Sequence, residues 1–205
     1  MESANAAAET SSTLSRAIFS HRLQVGLAAV ALGGLVVRPG NIFGSHQVLG
    51  VSASIALVVL GLALRAWAGG CAGSHTRKAT IEAPQLVTGG PFAYVRNPIY
   101  LASIILGLGM VGLLGDPWML ALYVCVFIFL YTSIVPAEEA FLRKAFPDEF
   151  ARYCANVPRM LPRLRPWPDA TPVRFDRAAL IGEARLGLVL VAIYGFMRMA
   201  AWLRA

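Results

Sequence analysis

LVTGGPFAYVRNPIY, residues 86–100, is a polar, turn-forming stretch set between two apolar runs of membrane length. Gly89-Gly90-Pro91 forces a turn, and Phe92, Tyr94 and Tyr100 supply aromatic faces. Arg96-Asn97-Pro98 stands where the next apolar run begins. Asn97 precedes a proline, which biases it towards extended geometry and makes it a natural helix N-cap. Two readings of the stretch are open. It is either an aromatic belt with an anchoring arginine, or a cradle of turn amides, aromatic faces and Asn97 for a polar ligand at a helix N-terminus.

The rest of the chain supplies the apolar frame. Of its 205 residues, 57% are hydrophobic and 14% charged, against about 25% charged in ordinary soluble domains. Mean hydropathy is +0.62. Five runs can cross a hydrocarbon core of about 30 Å, which takes about 20 helical residues: 17–37, 48–67, 99–114, 118–135 and 186–203. Arg65 and Trp67 suit an interfacial end of the second. Gly115-Asp116-Pro117 turns the third into the fourth, with Pro117 at a first helical position. Gly107, Gly109 and Gly112 favour close approach of the third run to a neighbouring helix. No alternating strand pattern of a membrane barrel is present.

The expected fold is therefore all-α: a polytopic membrane protein of about five transmembrane helices, with a helical hairpin and short cytoplasmic amphipathic helices. Residues 1–15 are small and polar and read as a disordered tail. Residues 16–205 read as a single membrane domain. The run at 17–37 ends at Arg38-Pro39-Gly40 rather than at a small-residue cleavage site, so it reads as a retained helix.

Net charge is +7, from 18 basic and 11 acidic residues. With a cytoplasmic N-terminus, every basic residue except Arg38, Arg198 and Arg204 lies on the cytoplasmic side, which satisfies the positive-inside rule. The excess thus sets orientation, and no nucleic-acid partner is expected. Cys71, Cys125 and Cys154 are widely spaced and the three histidines are scattered, so neither a disulfide framework nor a metal site is indicated.

Glu138 and Glu139 are the second polar feature. They follow Pro136, where the fourth run is expected to end and a new helix to begin. Acidic residues there offset the helix dipole, a purely structural role. Yet no basic residue is nearer in sequence than Arg143, and a membrane-edge carboxylate suits a cationic ligand. Residues 138–153, EEAFLRKAFPDEFARY, carry Leu142, Phe146, Phe150 and Tyr153 at three- to four-residue spacing. Pro147-Asp148-Glu149 interrupts the pattern, giving two short interfacial helices. Beyond them, residues 157–163 form an irregular basic strap able to lie over lipid headgroups or a bound anion.

Together, LVTGGPFAYVRNPIY and, after the hairpin, EEAFLRKAFPDEFARYCANVPRMLP resemble the isoprenylcysteine carboxyl methyltransferase superfamily. These are integral-membrane, S-adenosylmethionine-dependent enzymes, and the group includes phospholipid N-methyltransferases. The similarity covers about residues 65–165, the expected cofactor-binding core, and leaves an extra C-terminal transmembrane helix near 183–204 outside it. The resemblance implies that Pro84, Gln85, Leu86, Val87, Phe92, Asn97, Pro98, Ile99, Tyr100 and Glu138 line the cofactor. It implies catalytic parts for Arg96, Asn97, Glu138 and Glu139. S-adenosyl-L-methionine would leave as S-adenosyl-L-homocysteine. Two positions depart from the family pattern: Asn97 replaces a histidine, and Ile134 stands where eukaryotic members have an arginine for the substrate carboxylate.

The expected reaction is methyl transfer to a lipophilic acceptor, with membrane lipids as surroundings or substrate. Holding nucleophile, methyl carbon and sulfur in line is most of the work, and aromatic faces tolerate the cation. A carboxylate acceptor needs no base, whereas a phospholipid amine, with a pKa of about 10.4 like lysine, must first lose a proton. An anionic acceptor, carboxylate or thiolate, is thus favoured over an amine; carboxylate O-methylation is the leading expectation, with amine N-methylation or thiol S-methylation as alternatives. The arginine-rich, lysine-poor composition suggests a bacterial inner membrane, with the site on the cytoplasmic side. A small transporter would need ionisable groups inside its spans, which read as nearly free of them. A non-catalytic scaffold would leave the polar cluster unexplained.

Overall fold

The structure, a computed structural model, describes residues 40, 42–73 and 85–203. The expected tail at 1–15, the first span at 17–37 and Pro84 lie outside the described residues. Among the described residues the chain is helical with no strand, as expected of an all-α membrane protein.

A 3-10 turn, Gly44–His46, leads into α1, Gln47–Ala72. After the 3-10 turn Gly90–Ala93 come α2, Pro98–Leu114, and α3, Pro117–Ala145. Then follow α4, Pro147–Asn156, and α5, Ala178–Trp202. Among the described residues, three helical stretches are long and apolar enough to cross a membrane: Gly44–Ala72, Pro117–Ala145 and Leu180–Ala200. α2 is a shorter apolar helix. Its 17 residues make it about 26 Å long at 1.5 Å per residue.

The α2–α3 hairpin forms as its turn residues dictate. Gly115 adopts φ +70°, and its N–H closes on the Val111 carbonyl, a left-handed C-cap that glycine tolerates best. Asp116 then caps α3, accepting from the N–H groups of Trp118 at 2.8 Å and Met119 at 3.3 Å. Pro117 takes the first helical position, where its missing N–H costs nothing. At the same end, the Ile42 N–H donates to the Gly115 carbonyl. Residue 42, the hairpin turn and Trp202 thus share one end of the bundle. Ala72, Pro98, Ala145 and Ala178 share the other.

α2 packs along α1 through small residues. A Cβ on Gly61 would fall 2.6 Å from the Leu106 backbone nitrogen, and one on Gly109 would fall 2.7 Å from the Ser54 carbonyl oxygen. The backbones therefore touch, as the glycine spacing led one to expect. α3 packs on α2, where the Tyr123 hydroxyl donates to the Ser103 carbonyl at 2.8 Å.

Two expectations need correction. Pro136 does not end the fourth run: it lies inside α3, which continues to Ala145. A proline removes one ladder hydrogen bond, and membrane helices accommodate this through neighbouring groups. With 29 residues, α3 is about 44 Å long and exceeds a hydrocarbon core of about 30 Å. Its last turns, bearing Glu138 and Glu139, project at the rim as helix interior rather than helix start. The break expected at Pro147 is present, so α4 alone is the separate amphipathic helix.

The second correction concerns Arg65. It does not simply anchor an interfacial end: its Nε donates to Glu183 of α5 at 2.9 Å and its Nη1 to Ser103 of α2 at 2.6 Å. The apolar helices therefore carry an ion pair that joins three of them. Both partners are largely buried, and each satisfies the other, as charges away from water require.

Candidate functional site

The polar stretch ahead of α2 folds back on the end of α3. Glu139, with only 8% of its side chain exposed, is held by two arginines. Arg96 Nε donates to Oε1 at 3.3 Å, Arg159 Nε donates to the same oxygen at 3.1 Å, and Arg159 Nη2 donates to Oε2. Beside this cluster, the Tyr100 hydroxyl donates to Glu138 Oε1 at 2.9 Å. The two segments singled out from the sequence thus meet at one end of the bundle.

Arg96 makes further bonds. Its Nη1 also donates to the carbonyls of Cys154 and Val157, at 3.0 Å each, and its backbone N–H to the Pro158 carbonyl. One guanidinium therefore fastens α3, the end of α4 and the strap behind it. Asn97 occupies the N-cap position of α2, but its side chain makes no capping bond. Its amide instead donates to the Arg159 carbonyl at 3.2 Å. The expected cap is thus a tether for the strap, because the ψ of 59° departs from the extended geometry that aims an Asn oxygen at the helix N–H groups.

The strap runs back over the turn. The Arg163 N–H donates to the Tyr94 carbonyl and the Trp167 N–H to the Ala93 carbonyl, both at 2.9 Å. Further on, the Thr171 N–H reaches Thr88 Oγ1 at 2.9 Å and the Asp176 N–H reaches the Gly70 carbonyl at 2.8 Å. Residues 85–97 are therefore held between α4 on one side and the strap on the other. Gly90, at φ +61°, allows its backbone to pass the Cys71 sulfur, which a Cβ would meet at 2.5 Å.

The amphipathic face of α4 provides the floor. Phe150 and Tyr153 are buried with Leu86 and Val157, and Leu142, Phe146 and Trp167 pack around them. Leu86 is thus a core residue of the rim. Phe92, Asn97, Ile99, Tyr100 and Glu138 are half-buried, whereas Pro98 is buried at the start of α2. Gln85 is exposed and Val87 half-buried.

Tyr153 donates its hydroxyl to the Phe92 carbonyl at 2.8 Å. Burial pushes its phenol well above the ordinary range near 10. The folded protein then holds this proton at a pH where the unfolded chain has released it. Stability contributed by this group is full below about pH 10 and falls above it by about 1.4 kcal/mol per pH unit. Thermal denaturation of detergent-purified protein between pH 8 and 11 should show that decline. Tyr153→Phe, though less stable at pH 8, should have a flatter alkaline limb.

Arg159 and Tyr153 were not anticipated as site residues. Arg159 lies in an irregular segment with no periodicity to mark it, and its role depends on a fold-back invisible in the sequence. The Glu139 hydrogen bond raises the Arg159 pKa further, so it stays charged. The expectation that the Glu138-Glu139 pair lacks a nearby cation is overturned for Glu139, because Arg96 and Arg159 reach it in space. Among the described residues, no group of three or more His, Cys, Asp or Glu side chains could hold a metal ion.

A helical membrane bundle with a polar site built at one rim, from the entry to one helix and the end of the next, defines the class of protein. Residues 49–149 match the family model described as phospholipid methyltransferase. A protein-S-isoprenylcysteine O-methyltransferase of Schizosaccharomyces pombe is 36% identical over 77 residues, 38% of this chain and 33% of that protein. A cobalt-zinc-cadmium resistance protein of Cupriavidus metallidurans is 34% identical over 79 residues, 38% of this chain and 36% of its own length. A nickel-cobalt-cadmium resistance protein of Alcaligenes xylosoxydans xylosoxydans is 30% identical over 88 residues, 43% of this chain and 39% of that protein. The matched stretch thus spans little more than a third of each relative. No solved structure matches the chain. These matches support the membrane methyltransferase superfamily that contains the phospholipid and isoprenylcysteine methyltransferases.

Proposed function

We propose that this protein transfers a methyl group from S-adenosylmethionine to the carboxylate of a lipophilic acceptor, at the end of the bundle where α2 begins and α3 ends. The observation that carries the reading is the closure of residues 96–100 on Glu138 and Glu139, at 2.9 and 3.3 Å. Both stretches lie inside the part of the chain that matches the methyltransferase family.

The residues fit the cofactor's chemistry. When bound, S-adenosylmethionine supplies an electrophilic methyl group on a sulfonium that leaves as a neutral thioether. Glu138 is a carboxylate suited to an ammonium or ribose hydroxyls, and Tyr100 fixes its orientation. Phe92 and Tyr100 offer aromatic faces that tolerate positive charge. Asn97, Pro98 and Ile99 shape the wall, and the backbone of residues 85–87 borders it. Arg96 and Glu139 act at one remove, since the bonds they make hold the strap. For a carboxylate acceptor, one C–O bond forms, one C–S bond breaks and the electron pair stays on sulfur. No proton moves, which suits a site where both Glu139 oxygens already accept from guanidiniums.

Among the described basic residues only Arg198 falls near the opposite end, so the positive-inside rule supports a cytoplasmic rim in a bacterial inner membrane. A phospholipid amine is the second reading, favoured by the description of the matching family model, with Glu138 as the proton acceptor. The test is calorimetric titration of detergent-purified protein with S-adenosylmethionine and S-adenosylhomocysteine. Saturable binding, weakened at least tenfold by Glu138→Ala, is the expected result. Absence of binding by a folded sample would end the reading. Radiolabelled methyl donor then separates base-labile ester from base-stable label on an amine.

A further inference from the structure

One buried polar atom near the rim has no hydrogen-bond partner. It is the hydroxyl of Tyr131, on the interior face of α3 two turns before Glu138 and Glu139. Its ring is fixed by its neighbours, stacked on Phe127 at 5.9 Å and edge-on to Tyr100 at 6.1 Å. A buried hydroxyl that donates to nothing is unfavourable and rare in a settled fold. The phenol also lies within electrostatic reach of the Arg159 and Arg96 guanidiniums and of Glu139.

Arg159 has donors to spare. A guanidinium carries five N–H groups, and the bonds to Glu139 use Nε and one hydrogen of Nη2. Its side chain is 48% exposed, unlike Arg96 at 13%. One orphaned O–H and one half-exposed guanidinium therefore face the same corner, where Tyr100 and Glu138 also meet. Ile134, three residues further along α3 than Tyr131, is buried at 3% exposure and apolar.

We propose that Tyr131 and Arg159 form the acceptor-recognition element of this enzyme, taking the two oxygens of a lipidic carboxylate. This rests on the methyltransferase reading above and adds to it the residues that select the acceptor. The phenol donates a hydrogen bond to one oxygen of the acceptor, and the free edge of Arg159 donates to the other. A planar carboxylate matches a guanidinium edge by shape as well as charge. The strap supplies the cation, held in place by the Asn97–Arg159 bond and the Glu139 pair. Forming the ester removes the acceptor's charge and weakens both contacts, which favours product release over rebinding.

The experiment compares binding of N-acetyl-farnesylcysteine and its methyl ester to the full chain loaded with S-adenosylhomocysteine, read by thermal shift and by equilibrium titration. The acid should bind the unaltered protein at least tenfold more tightly than the ester. Tyr131→Phe, which deletes only the orphaned hydroxyl, should cut that preference at least fivefold while leaving S-adenosylhomocysteine affinity within twofold. Arg159→Lys keeps the charge but loses the planar edge, and should cut the preference similarly. Equal binding of acid and ester, or an unchanged preference in Tyr131→Phe, overturns the proposal. So does preference for a phosphatidylethanolamine over the acid, which would leave the methyltransferase reading standing. Failure of the unaltered, folded protein to bind S-adenosylhomocysteine would instead overturn both.

Discussion

Glu139→Ala is expected to lose both the fold of the rim and cofactor binding, with a larger effect than Glu138→Ala on stability. The Glu139 carboxylate is the only described acid that pairs with Arg96 and Arg159. Removing it leaves Arg96, 13% exposed, with two carbonyls and no counter-charge. Breaking a buried pair from one side costs about 3–5 kcal/mol, and the partial exposure of Arg159 places the expected loss near the lower end, about 3 kcal/mol. The strap would lose its hold at Arg159 while keeping its bonds to Tyr94 and Ala93, so the damage should be local. Glu139→Gln keeps one acceptor oxygen and should fall between the two. Thermal denaturation in detergent, paired with S-adenosylhomocysteine titration, checks this. Glu138→Ala should weaken binding with a melting temperature within a few degrees of the unaltered protein. A Glu139→Ala protein as stable as Glu138→Ala would show that the double arginine pair contributes little.

The contrast between these two neighbours shows which part of the site can be read from a sequence. That residues 86–100 and 138–139 matter was legible, because polar groups beside membrane-length apolar runs need a reason. Which glutamate does what was not. The two share a helix turn but point to different partners: one meets Tyr100 on α2, the other a strap residue 20 positions onward. The apolar helices and the hairpin followed from hydropathy and from Gly115-Asp116-Pro117. The continuation of α3 past Pro136 did not, since proline punctuation is reliable in water but is overridden where neighbouring helices support the backbone. The Arg65–Glu183 pair joins residues 118 apart, and no local pattern announces a contact of that range. The same holds for Tyr131: in sequence it is one aromatic among many on an apolar helix, and only the absence of a partner in three dimensions sets it apart.

Gly61→Ala and Gly109→Ala are expected to be the most damaging single-methyl additions on the α1–α2 seam, although alanine is the better helix former by about 1 kcal/mol. At Gly61 the new methyl would lie 2.6 Å from the Leu106 nitrogen and 2.7 Å from its Cα. At Gly109 it would lie 2.7 Å from both the Ser54 carbonyl oxygen and the Val58 nitrogen. These are backbone atoms, so no rotamer change relieves the clash and the helices must separate. Overpacking of a tight core costs typically 1–3 kcal/mol, and here it falls on the seam that carries α2, whose first residues form the site. Gly195 is the internal control: a Cβ there meets nothing within 4 Å, so Gly195→Ala should be neutral or gain up to about 1 kcal/mol from helix propensity. Gly107 and Gly112 would meet the side chains of Tyr123 and Ser54. Ser54 can yield more readily than a whole tyrosine ring, so Gly112→Ala should be milder than Gly107→Ala. The measurement is the half-life of folded protein in detergent at a fixed elevated temperature, because membrane proteins often unfold irreversibly and a rate is then the meaningful quantity. The order expected, from most to least damaging, is Gly61 and Gly109, then Gly107, then Gly112, then Gly195. Equal half-lives for Gly109→Ala and Gly195→Ala would mean that α1 and α2 do not touch backbone to backbone, and the position of Asn97 relative to Glu138 would lose its structural support.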